Sequence, residues 1–321
     1  MSKPKKHHYV PQFLLRNFSD SERKSVFVLD KSNDKIYRSS LLDTGSEKYF
    51  YEYTGANLGT DTEAKLAEIE NVCAPIFEEI IRRECIDAIS LRDRTLLCLF
   101  ASVQNLRTNK QREEFEQLNR FISESFKSKG IDPNKDVENF KELSREEIIN
   151  ASIRNLHSLG ADLAQHFINK EIRLVKAPDN KEFYISDHPI TLYNHFPREG
   201  RGNLGLGLRG IEIQFPISPK LCLDFFCSET VSKLRLAVAN YKVMKLTGVA
   251  LPPNLPEPEG LLTDFDSKTT KIIKPENVEF NNSLQVLQSS RFIYSHNGKF
   301  DLAIDMLKSN PELRQPRWFN N

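Results

Sequence analysis

The chain has 321 residues, of which 39% are hydrophobic and 28% charged. That is long enough to bury a sizeable core and excludes both a membrane-embedded and a disordered chain. Forty-five Lys and Arg stand against 44 Asp and Glu, for a formal net charge of +1, so a nucleic-acid partner would need a local basic patch rather than a global field. There is no long unbroken apolar run, hence no expected transmembrane helix, and the basic start at Lys3, Lys5 and Lys6 is not followed by an apolar signal segment. Cys73, Cys85, Cys98, Cys222 and Cys227 form no Cys-x-x-Cys pair; they read as reduced thiols of a cytoplasmic protein, with no structural zinc site.

The first ordered stretch runs from His8 to Phe18. Pro11 suits the first position of a short helix, and Val10, Phe13, Leu14 and Phe18 share one apolar face. Gln12 and Arg16 share another, with His8 just ahead of them. Val26–Asp30 and Lys35–Arg38 read as a hairpin across the polar run 31–34. Thr60 or Asp61 caps a first long helix reaching about Cys85, with Pro75 as a bend and Glu63 and Glu70 bordering its apolar stripe. A second helix is expected from near Ser90 to about Lys127, apolar on most sides in its first half and therefore central. A third starts at Ser144, where Ser-Arg-Glu-Glu is a capping box ending in Glu147, and runs to about Lys170.

The pattern then turns strand-like, at 172–175, 182–186, 190–193, 211–216 and 221–227. Residues 199–210 carry five glycines and read as a flexible loop. A short helix over 231–241, a strand over 243–246, a Pro-rich loop over 251–259 and a helix from Pro275 to about Ser290 complete the expectation. The fold class is α+β: a helical N-terminal half packed on a mostly antiparallel sheet formed mainly by the C-terminal half. It is read as one domain over 1–321, helical at about 60–171 and β-rich at about 172–300.

His7-His8-Tyr9-Val10-Pro11-Gln12-Phe13-Leu14-Leu15-Arg16-Asn17-Phe18 resembles the opening signature of the bacterial domain-of-unknown-function family 4238. Gln104-Asn105-Leu106-Arg107-Thr108 and Phe183-Tyr184-Ile185-Ser186-Asp187-His188-Pro189 resemble its later motifs, so the likeness spans most of the chain. It implies a shared architecture and a shared cluster of polar positions, and it supplies no reaction. The family pattern has Asn where this chain has His188. Any role that rests on an amide there does not carry over, whereas a polar turn residue tolerates the change.

Several constellations bear on chemistry. His7-His8 with Pro11 resembles the strand of His-Asn-His nucleases, but Asn17 falls inside a helix pattern and no suitable His follows. The favoured reading is a helix entry whose His bonds a carbonyl. Arg154 and His157 sit too close together for the Arg/His ribonuclease motif of helical toxin domains and read as a solvated helix edge. Glu63 and Glu70 are candidates for holding Mg²⁺ or acting as acid and base, or for structural ion pairs to Arg107 or Arg16. Asp187 caps a turn or serves as a carboxylate at a strand end.

Two functions follow. In the first, the chain is a phosphodiesterase or nuclease-like hydrolase acting on nucleic acid or a nucleotide. Asp187, Glu63 and Glu70 hold Mg²⁺ or Mn²⁺ or polarise water, and His8 is the acid or base. Arg16 and Arg107 grip phosphate, with Gln12 and Gln104 beside them. In the second, the same residues form a structural network in a non-catalytic interaction protein or anion sensor. Either way Arg16 is expected within ion-pair reach of Glu63, Glu70 or Asp187.

Overall fold

The N-terminus enters as a strand. β1 (Lys6–His8) pairs antiparallel with β4 (Ser46–Lys48), His8 opposite Ser46. Past it, the N–H groups of Tyr9 and Val10 both donate to the Gly45 carbonyl. Gly45 has φ +62°, and a Cβ there would lie 2.8 Å from that of Val10, so glycine permits both the turn and the close approach. Pro11 is extended (φ −62°, ψ 143°) and caps helix α1 (Gln12–Arg16) from outside, one position earlier than the sequence suggests. Val10, Leu14, Leu15 and Phe18 are fully buried. Phe13 is half-buried, 5.5 Å from Phe77 and 5.3 Å from Phe100 between ring centroids.

The computed structural model describes residues 6–20, 24–52, 62–87, 89–138, 140–196, 204–248, 262 and 270–315. Within them the protein is α+β. The predicted hairpin is present as β2 (Ser25–Asp30) and β3 (Lys35–Ser40). Helix α2 (Thr62–Arg83) continues through Pro75. The expected second helix is two, α3 (Leu91–Leu106) and α4 (Asn109–Lys127). The break falls at Thr108, whose backbone is extended and whose hydroxyl lies 2.8 Å from Nδ1 of His188. α5 (Arg145–Ile168) begins with the predicted capping box, Ser144 and Glu147 bonding each other's backbone N–H.

The strands form two larger sheets besides the β1–β4 pair. One has the order β10-β5-β9-β8-β7, from β5 (Lys170–Lys176), β7 (Thr191–Asn194), β8 (Ile211–Pro216), β9 (Leu221–Cys227) and β10 (Lys271–Ile272). It is antiparallel apart from β10 on β5. The other is the antiparallel order β3-β2-β11-β6, with β6 (Ile185–Ser186) and β11 (Phe292–Ser295). The N-terminal hairpin thus joins strands of the C-terminal half.

Phe100 of α3 links the layers, with ring centroids 5.1 Å from Phe77 on α2 and 6.2 Å from Phe215 on β8. α3 also packs on α5, where Ser102 Oγ donates to the Gly160 carbonyl at 2.8 Å.

Two further expectations are corrected. The strand at 182–186 shrinks to β6, because α7 (Pro275–Gln288) takes the neighbouring backbone with side-chain amides. Asn282 Oδ1 accepts from Tyr184 N at 2.7 Å and Gln285 Nε2 donates to the Pro189 carbonyl at 2.9 Å. The strand at 243–246 is helical: α6 runs from Ser228 to Thr247 and stops at Gly248, φ +70°, a left-handed cap that glycine adopts without strain. Beyond α7 the chain adds β11 and α8 (Asp301–Ser309), which the sequence pattern did not single out. The predicted Pro-rich loop at 251–259 and residues 199–203 of the glycine-rich loop lie outside the described residues. No helix among the described residues is long and apolar enough to cross a membrane.

Candidate functional site

The α3–α4 junction places Arg107 at the centre of a polar network. Its side chain is 1% exposed. Nη1 donates to Glu70 Oε1 at 2.7 Å, Nε to the Tyr51 hydroxyl at 3.2 Å, and Nη2 to the His8 carbonyl. Tyr51 has two carbonyls to donate to, that of Arg107 at 3.2 Å and that of His8 at 3.3 Å. The burial that opposes a charge is outweighed here by Tyr51 and Glu70, which hold the guanidinium firmly protonated. Glu63 lies one α2 face-repeat before Glu70 and accepts from the His8 backbone N–H. Burial pushes its carboxyl up, against the pull of Arg107 and His7, and its Oε2 is buried with no hydrogen-bond partner among the described residues.

His8 turns inward from β1, with Nε2 3.2 Å from the Leu41 carbonyl. Burial lowers its pKa more than that carbonyl and Glu70 raise it, so the ring is neutral and bonds a carbonyl, as the helix-entry reading expects. His7 Nδ1 accepts from Tyr51 N at 3.0 Å. Gln104, fully buried, donates from Nε2 to the Tyr9 carbonyl at 2.9 Å and leaves Oε1 without a hydrogen-bond partner among the described residues.

Asp187 occupies a second node. It is 3% exposed, and its two oxygens accept three backbone N–H groups, from Ser290 at 2.8 Å, Arg291 at 2.7 Å and Phe292 at 2.8 Å. Burial raises its carboxyl against those donors and Lys31. Lys31, 1% exposed, donates to the Val286 and Ser289 carbonyls at 2.9 and 2.8 Å, which completes the C-terminal turn of α7; burial lowers its pKa to about 8. His188 links this node to the first through Thr108. Its ring is neutral, because burial drives its pKa well below the ordinary value.

The structure therefore brings His8, Glu63, Glu70, Gln104 and Arg107 to one junction and sets Asp187 in an adjoining turn. It does not bring in the rest. Arg16 is exposed, and no ion pair to Glu63, Glu70 or Asp187 holds it among the described residues. The expected ion pair falls instead to Arg107. The reason is local: α1 has five residues, and Arg16 sits in its last turn, on the side away from Leu14 and Leu15. Gln12 is half-buried and makes no side-chain hydrogen bond among the described residues. Nor do Asp187, Glu63 and Glu70 form one metal site: among the described residues no three His, Cys, Asp or Glu side chains are grouped closely enough to hold an ion.

The model of the family described as "Protein of unknown function (DUF4238)" matches residues 6–299. The chain belongs to that DUF4238 family. No curated protein and no solved structure matches it. The opening signature, the Gln104–Thr108 stretch and the Phe183–Pro189 stretch that carry the family resemblance all meet in the network. Gln104 holds Tyr9, Arg107 holds His8, and Thr108 holds His188.

A second site escaped sequence reasoning. A pocket of about 480 Å³ opens beside the five-stranded sheet, lined among others by Arg173, His195, Glu212, Phe226 and Lys271. Its polar floor includes charged residues flanked on both sides by apolar ones: Arg173 between Ile172 and Leu174, and Glu212 between Ile211 and Ile213. A charged residue between two apolar ones was the available signal.

Proposed function

We propose that this DUF4238 protein is a non-catalytic binding protein and that its His8–Arg107–Asp187 network is a structural clamp. One observation carries the reading: the network spends its charged groups on the chain itself. All three nitrogens of Arg107 donate to Glu70, Tyr51 and His8, and both oxygens of Asp187 accept backbone N–H groups. A phosphate-gripping arginine presents a free two-donor edge, and a catalytic carboxylate must reach a substrate proton. Here both groups face inward. The test pairs thermal unfolding with cleavage of RNA, DNA and cyclic nucleotides in Mg²⁺, Mn²⁺ or EDTA. The clamp reading expects no cleavage by the wild type and a lower melting temperature for His8→Ala and Asp187→Asn. Folded but inactive variants of a cleaving wild type overturn it.

A second reading keeps one observation in its favour. Glu63 Oε2 is buried without a hydrogen-bond partner among the described residues and burial holds its carboxyl high against the pull of Arg107, a combination that suits a general acid or base. In that reading the protein is a phosphodiesterase or nuclease-like hydrolase, Glu63 moves the proton and the substrate is a nucleic acid or nucleotide. Glu63→Gln would then abolish cleavage while leaving unfolding unchanged.

A further inference from the structure

The segment before β6, helix α7 and the start of α8 line another pocket, of about 440 Å³, within the roughly 300–1,000 Å³ typical of small-molecule sites. Asn282 of α7 sets its inner wall. Its Oδ1 accepts from Tyr184 N at 2.7 Å, and its Nδ2 donates to the Glu182 carbonyl at 2.9 Å. The Tyr184 ring is thereby held in the core, 5.6 Å from Phe300 between centroids, and the residue is 7% exposed. Its hydroxyl makes no hydrogen bond among the described residues. Burial, then Asp301 and Glu279, hold the phenol protonated. Both of those acids line the pocket together with Tyr184, so the phenol faces into it. A tyrosine buried to this degree ordinarily finds a partner for its hydroxyl, and here the pocket is where one can come from.

The lining carries four carboxylates and two ammonium groups, and they are unequal in availability. Glu279 Oε1 lies 2.6 Å from Lys181 Nζ. Glu182 Oε2 accepts from Asn297 Nδ2 at 2.8 Å, and its Oε1 is 4.0 Å from Lys220 Nζ. Both of these acids are engaged by the protein. Asp301 and Asp305, at exposed positions, have neither a side-chain hydrogen bond nor an ion pair among the described residues. They are four apart on α8, hence neighbours on one helix face, where like charges repel. Lys299, also exposed and without an ion pair among the described residues, offsets one of the two, so one negative charge is left over. No three His, Cys, Asp or Glu side chains among the described residues are grouped closely enough to hold a metal ion. Two carboxylates and a phenol suit instead a cation that brings its own N–H donors. An alkylammonium has three, and Asp301, Asp305 and the Tyr184 oxygen supply three acceptors.

We propose that this pocket binds a small aliphatic primary amine, its ammonium between Asp301, Asp305 and the Tyr184 hydroxyl and its alkyl chain against Leu302 and the Tyr184 ring. The inference rests on the binding-protein reading for its role. None of these residues belongs to the His8–Arg107–Asp187 clamp, so the titration below and the unfolding test above fail separately.

The experiment is isothermal titration of the full chain with 1-aminobutane and 1,4-diaminobutane at matched ionic strength. 1-Butanol and butyrate serve as the neutral and anionic counterparts, and Mg²⁺ as an inorganic cation. Saturable binding of both amines, at least tenfold tighter than the alcohol, is expected. Asp301→Asn combined with Asp305→Asn removes both charges at exposed positions and should weaken binding at least tenfold with an unchanged unfolding curve. Tyr184→Phe removes only a hydroxyl that bonds nothing in the protein. It should weaken binding about threefold to tenfold without lowering the unfolding midpoint. Lys299→Ala removes the opposing charge and should tighten binding. Any of three outcomes overturns the proposal: no saturable binding of either amine, equal or tighter binding of the alcohol, butyrate or Mg²⁺, or amine binding that is unchanged in the double aspartate variant or in Tyr184→Phe when that variant is folded.

Discussion

Arg107→Met tests the clamp at its centre. Methionine keeps part of the stem volume and removes the charge and every donor. Left behind are the Glu70 carboxylate, the Tyr51 hydroxyl and the His8 carbonyl. Breaking a buried ion pair from one side costs about 3–5 kcal/mol, because the remaining charge stays desolvated. Glu70 is 23% exposed, so water takes up part of that cost, which sets the expectation at the lower end, about 3 kcal/mol. Against a typical stability of about 5–15 kcal/mol this is a large fraction. Urea unfolding should show it as a lowered midpoint at unchanged slope. Glu70→Gln should cost less, since its site is wetter and an amide oxygen still accepts from Arg107. The double variant should fall short of the sum by about 0.5–3 kcal/mol, the range for residues in one network. A loss below about 1 kcal/mol for Arg107→Met, the scale of a single ordinary hydrogen bond, or strict additivity in the cycle, refutes the reasoning.

Asp187→Asn keeps the shape but turns one oxygen into a donor facing backbone N–H groups, so a loss of about 1–3 kcal/mol is expected in urea unfolding; an unchanged midpoint would show that the turn at 290–292 does not depend on the carboxylate. Leu14→Ala empties a fully buried position of α1 and should cost about 2–5 kcal/mol, whereas an α1 that only rests on the surface would lose far less. Asp224 gives a pH signature. Its folded pKa is raised from 3.8 to about 7 by burial, with Arg173, Glu212 and Cys222 as the facing groups, so the folded state binds the proton more tightly than the unfolded one. That contribution is full below about pH 4 and is lost as pH rises through 7. Stability measured by urea midpoint should decline across this window, and Asp224→Asn should flatten the decline apart from the same-sign share of Glu212. An identical slope in the variant counts against a protonated Asp224.

The parts of the fold that were legible in the sequence are those set by neighbouring residues. Ser144 and Glu147 bond each other's backbone, and Ser90 caps α3 by accepting from Asp93 N, so both helix starts lie within one turn of sequence. The β8 and β9 spans follow from local stretches that alternate or run apolar between turn residues. The break between α3 and α4 was not legible, because its causes are Tyr51 and His188, 56 and 80 residues away. β6 is short because α7 amides, about 100 residues later, satisfy the backbone around it. Over 243–246 the apolar residues Val243 and Leu246 are exposed, so no burial favoured a strand and the chain stayed helical until Gly248.

The candidate site was legible in membership but not in connection. His8, Glu63, Glu70, Gln104, Arg107 and Asp187 all border apolar stretches, and that placement announced groups needing partners. Which groups pair depends on where a guanidinium ends up. Arg16 lies in the last turn of a short helix and is exposed; Arg107 lies where one core helix ends and another begins. From there one side chain reaches β1 through His8, the chain after β4 through Tyr51, and α2 through Glu70. Apolar residues of similar volume in place of the whole set, Arg107 with Glu70 and Tyr51, would carry no desolvation cost and would leave the protein as stable or more so. They would also hold none of those three segments in a fixed register. The ion pair is therefore better understood as fixing where the N-terminal strand docks than as adding net stability. Repacking Arg107, Glu70 and Tyr51 together with apolar residues should then recover the unfolding midpoint while loosening hydrogen-exchange protection at Lys6–His8; protection kept in a stable repacked variant would assign the docking of β1 to its pairing with β4 alone.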